Sequence, residues 1–209
     1  MTSRHDASPH HPTPQVRKIV KALLQPPRNN ITTEAAPLYG RLAAILSPCF
    51  RHLASEISAA LIDDFEQMRR SHALKDLPAR LANIGYIAEL VKFRLVSAAA
   101  VFTCLKAMVD DFSPTNIQVV CALLEGCGRF LYRNPETHER CEGILELLAK
   151  LRSVHRLSAE QATLLDNAIC TCKPPERSAI VEETRPPLQQ YITYLLHQVL
   201  SRNTVERVV

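Results

Sequence analysis

The chain has 209 residues, of which 46% are hydrophobic and 22% charged, with only five glycines and no tryptophan. That supports one medium domain with attachments, and it leaves too little glycine for the turns of a β-sandwich or the phosphate loops of a nucleotide-binding α/β fold. The formal net charge is +4, but residues 1–30 alone carry five Lys/Arg against one acid, so the 20 basic and 20 acidic residues from 31 to 209 balance.

Residues 1–15 are rich in Pro, His and Ser and are expected to be disordered. A middle domain of helices is expected over residues 16–172. From 50 to 70, Phe50, Leu53, Ile57, Leu61, Phe65 and Met68 keep helical spacing. From 77 to 95 the face is Leu77, Leu81, Ile84, Ala88, Val91 and Leu95, with Asp76 as the N-cap and Pro78 in the first turn. Ser97 caps the next helix, whose face is Val101, Leu105, Met108 and Phe112. The adjacent Asp110 and Asp111 close that helix in solvent. In "SPTN", Ser113 is an N-cap and Pro114 the first helical residue.

The helix that follows carries Ile117, Val120, Cys121, Leu124, Cys127 and Leu131 on one stripe, and Val119, Leu123 and Phe130 on another. A helix so widely apolar is buried between neighbours. Yet it contains Gly126 and Gly128, each costing about 1 kcal/mol relative to alanine. No phosphate-cradling loop or nucleophile–base pair accompanies them, so they predict close helix packing. Asn134 and Pro135 then start a helix with Cys141, Ile144, Leu145, Leu148 and Leu151 on its face. Ser158 and Gln161 form a capping box ahead of Ala162, Leu165, Ile169 and Cys172. A Pro-rich, acid-bearing linker is expected over residues 173–187, and a helix leading toward a following domain over 188–209. Its apolar face, Leu188, Tyr191, Ile192, Leu195 and Val199, is the candidate inter-domain surface, which Leu196 and Leu200 widen. No segment alternates with period two. The expectation is an all-α fold of stacked antiparallel helical hairpins, a HEAT-like α-solenoid.

The longest apolar run, "LVSAAAVF", is far short of the ~20 residues of a membrane span, and the first fourteen residues hold no signal-like core. A soluble intracellular protein without membrane contact is expected. The seven cysteines, at 49, 104, 121, 127, 141, 170 and 172, form no Cys-x-x-Cys and are odd in number. They read as small hydrophobes rather than as a disulfide framework or a zinc site, and no cofactor is expected. His138 lies three residues before Cys141, but no third group orients them as a base and nucleophile. Lys92, Arg94, Arg129 and Arg133 form a candidate interaction surface. The structural account of those cations is that they meet the macrodipole near helix C-termini.

Four blocks in order, "YIAELVKFRLV", "CLKAMVDDFS", "LLEGCGRFLYRNPETH" and "RPPLQQYITYLLHQVLS", resemble the second middle domain, of the initiation-factor-4G type, in the up-frameshift-two family of nonsense-mediated decay factors. The resemblance covers roughly residues 16–209, and "LYGRLAAILSPCF" fits the preceding helix. It implies a non-catalytic scaffold that holds surveillance factors together on mRNA, in the cytoplasm and its perinuclear zone. It implies contact with other nonsense-mediated decay factors chiefly through neighbouring domains. The up-frameshift-three protein is met by the third domain, and the up-frameshift-one helicase by the C-terminal region. An adjacent middle domain of the same protein is a further implied partner, since "LSRNTVERVV" looks like the start of the third. RNA binding by the body is expected to be weak. A related helical scaffold of translation initiation or cap binding is the alternative, and an all-α enzyme would need a pocket of convergent ionisable groups.

Overall fold

Thr13 opens the first helix, α1 (Pro14–Leu23): its Oγ1 accepts from the Val16 amide at 3.4 Å, and Pro14 occupies the first turn. The structure, a computed structural model, describes residues 13–25, 35–71, 77–174 and 186–199. The segment expected to be disordered, 1–15, is thereby shortened, because Thr13–Gln15 is a capped helix start; the rest of it lies outside the described residues. So do Asp76, Leu200 and most of the expected linker.

Every regular element among the described residues is helical. After α1 come α2 (Ala36–Leu46) and α3 (Leu53–Ser71), separated by a turn in which His52 takes a positive φ of 71°. α3 buries every fourth residue, Leu53, Ile57, Leu61 and Phe65. α4 (Leu77–Lys92) follows, with Pro78 in its first turn. α5 (Ala98–Asp110) starts where Ser97 Oγ accepts from the Ala100 amide at 3.2 Å. α6 (Pro114–Leu123) starts where Ser113 Oγ accepts from the Asn116 amide at 3.3 Å. It continues through a π turn (Leu124–Gly128) into α7 (Arg129–Arg133). α8 (His138–Val154) and α9 (Ala159–Cys172) complete the first unit. α9 begins on a reciprocal box: Gln161 N donates to Ser158 Oγ at 3.2 Å, and Ser158 N donates to Gln161 Oε1 at 3.1 Å.

The helices stack as hairpins in two layers. In one layer α4 lies between α2 and α6, and α6 with its π turn lies against α9. In the other, α3 covers α2 and α4, α5 covers α4 and α6, α8 covers α7 and α9, and α1 lies on α3. This explains why α4 exceeds its expected single face. Ile84, Ala88 and Val91 are buried as the spacing predicts, but so are Tyr86, Ile87 and Leu90, since neighbours approach from both flanks and from the second layer. Each fully buried side chain of this size stabilises by about 1.5–3 kcal/mol. Leu77 and Leu81 are half-buried, and Leu95 falls beyond the helix end.

Polar side chains also tie the layers. Arg80 on α4, 5% exposed, donates from Nη2 to Asn116 Oδ1 on α6. Asn116 Nδ2 donates to the Asp111 carbonyl at 2.6 Å and to its carboxylate at 2.9 Å. Asp111 therefore does not simply end α5 in solvent: it anchors the 111–113 turn, while Asp110 is exposed. Asn83 Nδ2 donates to the Leu61 carbonyl of α3 at 3.1 Å.

A second difference concerns the start of α8, expected at Asn134–Pro135. Asn134 does make cap-like bonds, its Oδ1 accepting from Glu136 N at 3.2 Å and its carbonyl from His138 N at 2.9 Å. The buried Thr137 turns its hydroxyl back to the Leu131 carbonyl at 2.6 Å, which holds 134–137 as a turn. Regular helix begins only at His138.

The chain divides into two compact units, residues 1–174 and 175–209. Lys173, assigned by sequence to the linker, is pinned to α8 by an ion pair from Nζ to Glu142 Oε1 at 2.7 Å. Among its described residues the second unit holds α10 (Pro187–Tyr194), which continues into a second π turn (Leu195–Val199). No helix among the described residues is long and apolar enough to cross a membrane.

Candidate interaction groove at the ends of α4 and α7

The glycines of the buried helix sit in its π turn, and each meets a neighbouring helix. A Cβ on Gly126 would lie 2.7 Å from the Ala88 Cβ of α4, and one on Gly128 would overlap the Cys172 sulfur of α9. Both are therefore packing glycines. A π turn carries one extra residue and spaces its backbone bonds at i→i+5. Three thiols donate to carbonyls around it: Cys127 to Leu123 at 3.3 Å, Cys172 to Leu124 at 3.6 Å and Cys141 to Gly128 at 3.8 Å. Burial pushes the Cys127 and Cys172 thiols up to about 12 and the Cys141 thiol up to about 11. They remain protonated donors at neutral pH, a state that does not suit a nucleophile.

His138 is engaged away from Cys141. Its Nδ1 lies 2.7 Å from the Tyr132 carbonyl, its ring packs 4.5 Å from the Tyr132 ring, and its Nε2 is 3.7 Å from Glu142. With the Cys141 thiol on the Gly128 carbonyl, the two side chains do not form a base–nucleophile pair.

On the outer side of the same helix, the four cations singled out in the sequence come together. Lys92, Arg94, Arg129 and Arg133 line one open groove of about 490 Å³, with Gly126, Phe130 and Asn134 completing it. Arg129 and Arg133 are four apart and share a helix face. Lys92 reaches the groove from the last turn of α4, paired with Glu89 at 2.7 Å. Arg94, Arg129 and Arg133 are exposed, and among the described residues none of them makes an ion pair or a side-chain hydrogen bond. A smaller hollow of about 180 Å³ adjoins, sharing Arg94, Phe130 and Asn134.

Arg94 occupies an unusual backbone position. Its amide donates to the Val91 carbonyl and that of Leu95 to the Leu90 carbonyl, both at 3.0 Å, which closes α4 in a Schellman motif. The residue at its apex must adopt a left-handed conformation, and Arg94 has φ 60°. Glycine is the usual occupant, and a side chain there costs roughly 1 kcal/mol or more. The macrodipole accounts for Lys92 and Arg133, in the last turns of their helices. It also favours a cation at Arg94, two residues past Lys92, but it does not remove the strain of the left-handed backbone there.

The candidate inter-domain face lies wholly in the second unit. Leu188, Tyr191 and Ile192 are exposed, at 69%, 59% and 47%, while Leu195 and Val199 are half-buried. Tyr194, outside that face, is also exposed.

Sequence reasoning missed the buried Arg80, Asn83 and Tyr86, because all three lie within an apolar period and their surroundings come from other helices. It also missed the strain at Arg94, because the apolar spacing runs on to Leu95 and gives no sign that α4 ends at Lys92.

Comparison with known proteins adds a further finding. The MIF4G domain matches residues 16–175. "Regulator of nonsense transcripts UPF2" of Arabidopsis thaliana is 42% identical over 193 residues, 92% of this chain and 16% of that protein. "Regulator of nonsense transcripts 2" of Homo sapiens is 36% identical over 193 residues, 92% of this chain and 15% of that protein. "Nonsense-mediated mRNA decay protein 2" of Schizosaccharomyces pombe is 34% identical over 192 residues, 90% of this chain and 18% of that protein. The chain thus spans less than a fifth of the length of these relatives.

Proposed function

We propose that this chain, which belongs to the MIF4G domain family, is a non-catalytic scaffold domain in nonsense-mediated mRNA decay, corresponding to the second such domain of its relatives. The observation that carries this is the 42% identity, across 92% of the chain, to a relative named as a regulator of nonsense transcripts. The groove supports a binding role. Its convergent ionisable groups are four cations, and the Cys141 thiol and His138 imidazole are taken up by structural bonds. Other decay factors would be reached chiefly through neighbouring domains, with an adjacent middle domain on α10, in the cytoplasm where transcripts are translated. No observation favours the alternative of a translation-initiation or cap-binding scaffold.

The test is an exchange. Replacing the matched segment of the Arabidopsis relative with this chain should preserve decay of a transcript bearing a premature stop codon, whereas deleting the segment should impair it. A folded exchange protein that behaves like the deletion would contradict the reading.

A further inference from the structure

The geometry points to the groove of Lys92, Arg94, Arg129 and Arg133 as a docking site for an acidic peptide segment that carries an apolar anchor residue. This deepens the scaffold reading and rests on it. The rim offers three arginines with no acidic partner among the described residues, and an arginine fork pairs bidentately with a carboxylate. The floor is the half-buried Phe130 ring beside the bare backbone of Gly126, so an apolar side chain fits beneath the charges. Arg94 holds a left-handed backbone that glycine would accept without strain, so its side chain is retained at a cost to the fold.

RNA fits less well. Charges balance over residues 31–209, so within that body phosphates would meet a local patch rather than a basic domain. The groove also offers bases one aromatic ring, Phe130, where single-strand binders line up several stacking platforms. Phe130 forms its floor, and the exposed Phe93 lies against α2, with its Cε2 3.3 Å from where a Gly40 Cβ would stand. Charge complementarity together with the apolar floor selects a protein ligand.

Fluorescence anisotropy with the whole 209-residue chain tests this. The probe is a labelled peptide of about ten residues, alternating Asp and Glu around a central Leu-Phe pair. The controls are the same peptide with Ser-Gly at its centre, and a labelled oligouridylate of equal charge. The wild type should bind the Leu-Phe peptide most tightly of the three. Arg129→Glu with Arg133→Glu should weaken that binding by ~10-fold or more while the melting temperature falls by no more than a few degrees, because both side chains are exposed and only the dipole contact of Arg133 is lost. Arg94→Gly should weaken binding while raising the melting temperature, a combination that a purely structural arginine would not give.

Absence of peptide binding by the wild type would overturn the proposal, as would equal binding by the double variant. Tighter binding of the oligouridylate, lost in the same variant, would overturn it in favour of RNA. None of these results bears on the scaffold reading, which the segment exchange tests by itself.

Discussion

The described residues include two π turns that differ in how they are held. The first, Leu124–Gly128, buries Leu124, Cys127 and Gly128, seats its glycines on α4 and α9, and is surrounded by three thiol donors. The second, Leu195–Val199, has no glycine and no cysteine, and it follows a helix whose Leu188, Tyr191, Ile192 and Tyr194 are exposed. The same backbone distortion thus serves two ends. Where small residues and donors are present, it lets three helices close on one another. Where they are lacking, it extends an exposed apolar helix. The first turn also fixes the groove, because Gly126 packs on α4 from one side and floors the cationic cleft on the other.

Alkaline pH should break the comparison most strongly. Burial pushes the thiols of Cys104, Cys121, Cys127 and Cys172 up to about 12 and that of Cys141 up to about 11. The folded chain therefore keeps protons that the unfolded chain releases. Their contribution is fully present below the ordinary thiol value of about 8.5, declines steadily above it, and is gone once pH has passed through 11–12. Each such thiol costs up to about 1.4 kcal/mol per pH unit in that window. Melting followed from pH 7.5 to 10.5 should fall progressively by many degrees. A flat profile would show that the thiols are not buried as described.

Gly128→Val comes next. The added branch meets Cys172 in a filled core, and the expected loss is about 3 kcal/mol, or roughly 10 °C in melting. Combining it with Cys172→Ala should recover part of that loss, and additive effects would contradict the contact. Gly126→Ala should cost less, about 1–2 kcal/mol, since one methyl must be accommodated against Ala88, and Ala88→Gly should relieve it. The smallest effect has the opposite sign. Arg94→Gly should stabilise by about 1 kcal/mol, read as a rise of a few degrees in melting.

The caps at Ser97, Ser113 and Ser158 were legible because each needs only a side-chain oxygen three residues before a free amide. The packing role of Gly126 and Gly128 was legible because an exception inside an apolar helix demands a close neighbour. Which neighbours, Ala88 and Cys172, was not, since they lie 38 and 44 residues away and only the stacking of hairpins brings them in. The π turn left no periodic trace, because one inserted residue shifts the pattern by less than the width of the apolar face. The four cations could be named from sequence as two pairs at helix ends. That the pairs form a single groove depends on α4 and the 114–133 helix lying side by side. The start of α8 was misplaced because Thr137, an unremarkable residue in sequence, finds a buried carbonyl six residues back.

Amide hydrogen exchange across the two π turns tests the central contrast most directly. In the first, amides of 124–128 should exchange only through global unfolding, since the turn is locked between α4 and α9. In the second, amides of 195–199 should exchange orders of magnitude faster, since a short helix with exposed apolar side chains is marginal by itself. Similar protection in both turns would contradict the account, because the glycines and thiols would then not be what holds the first turn in place.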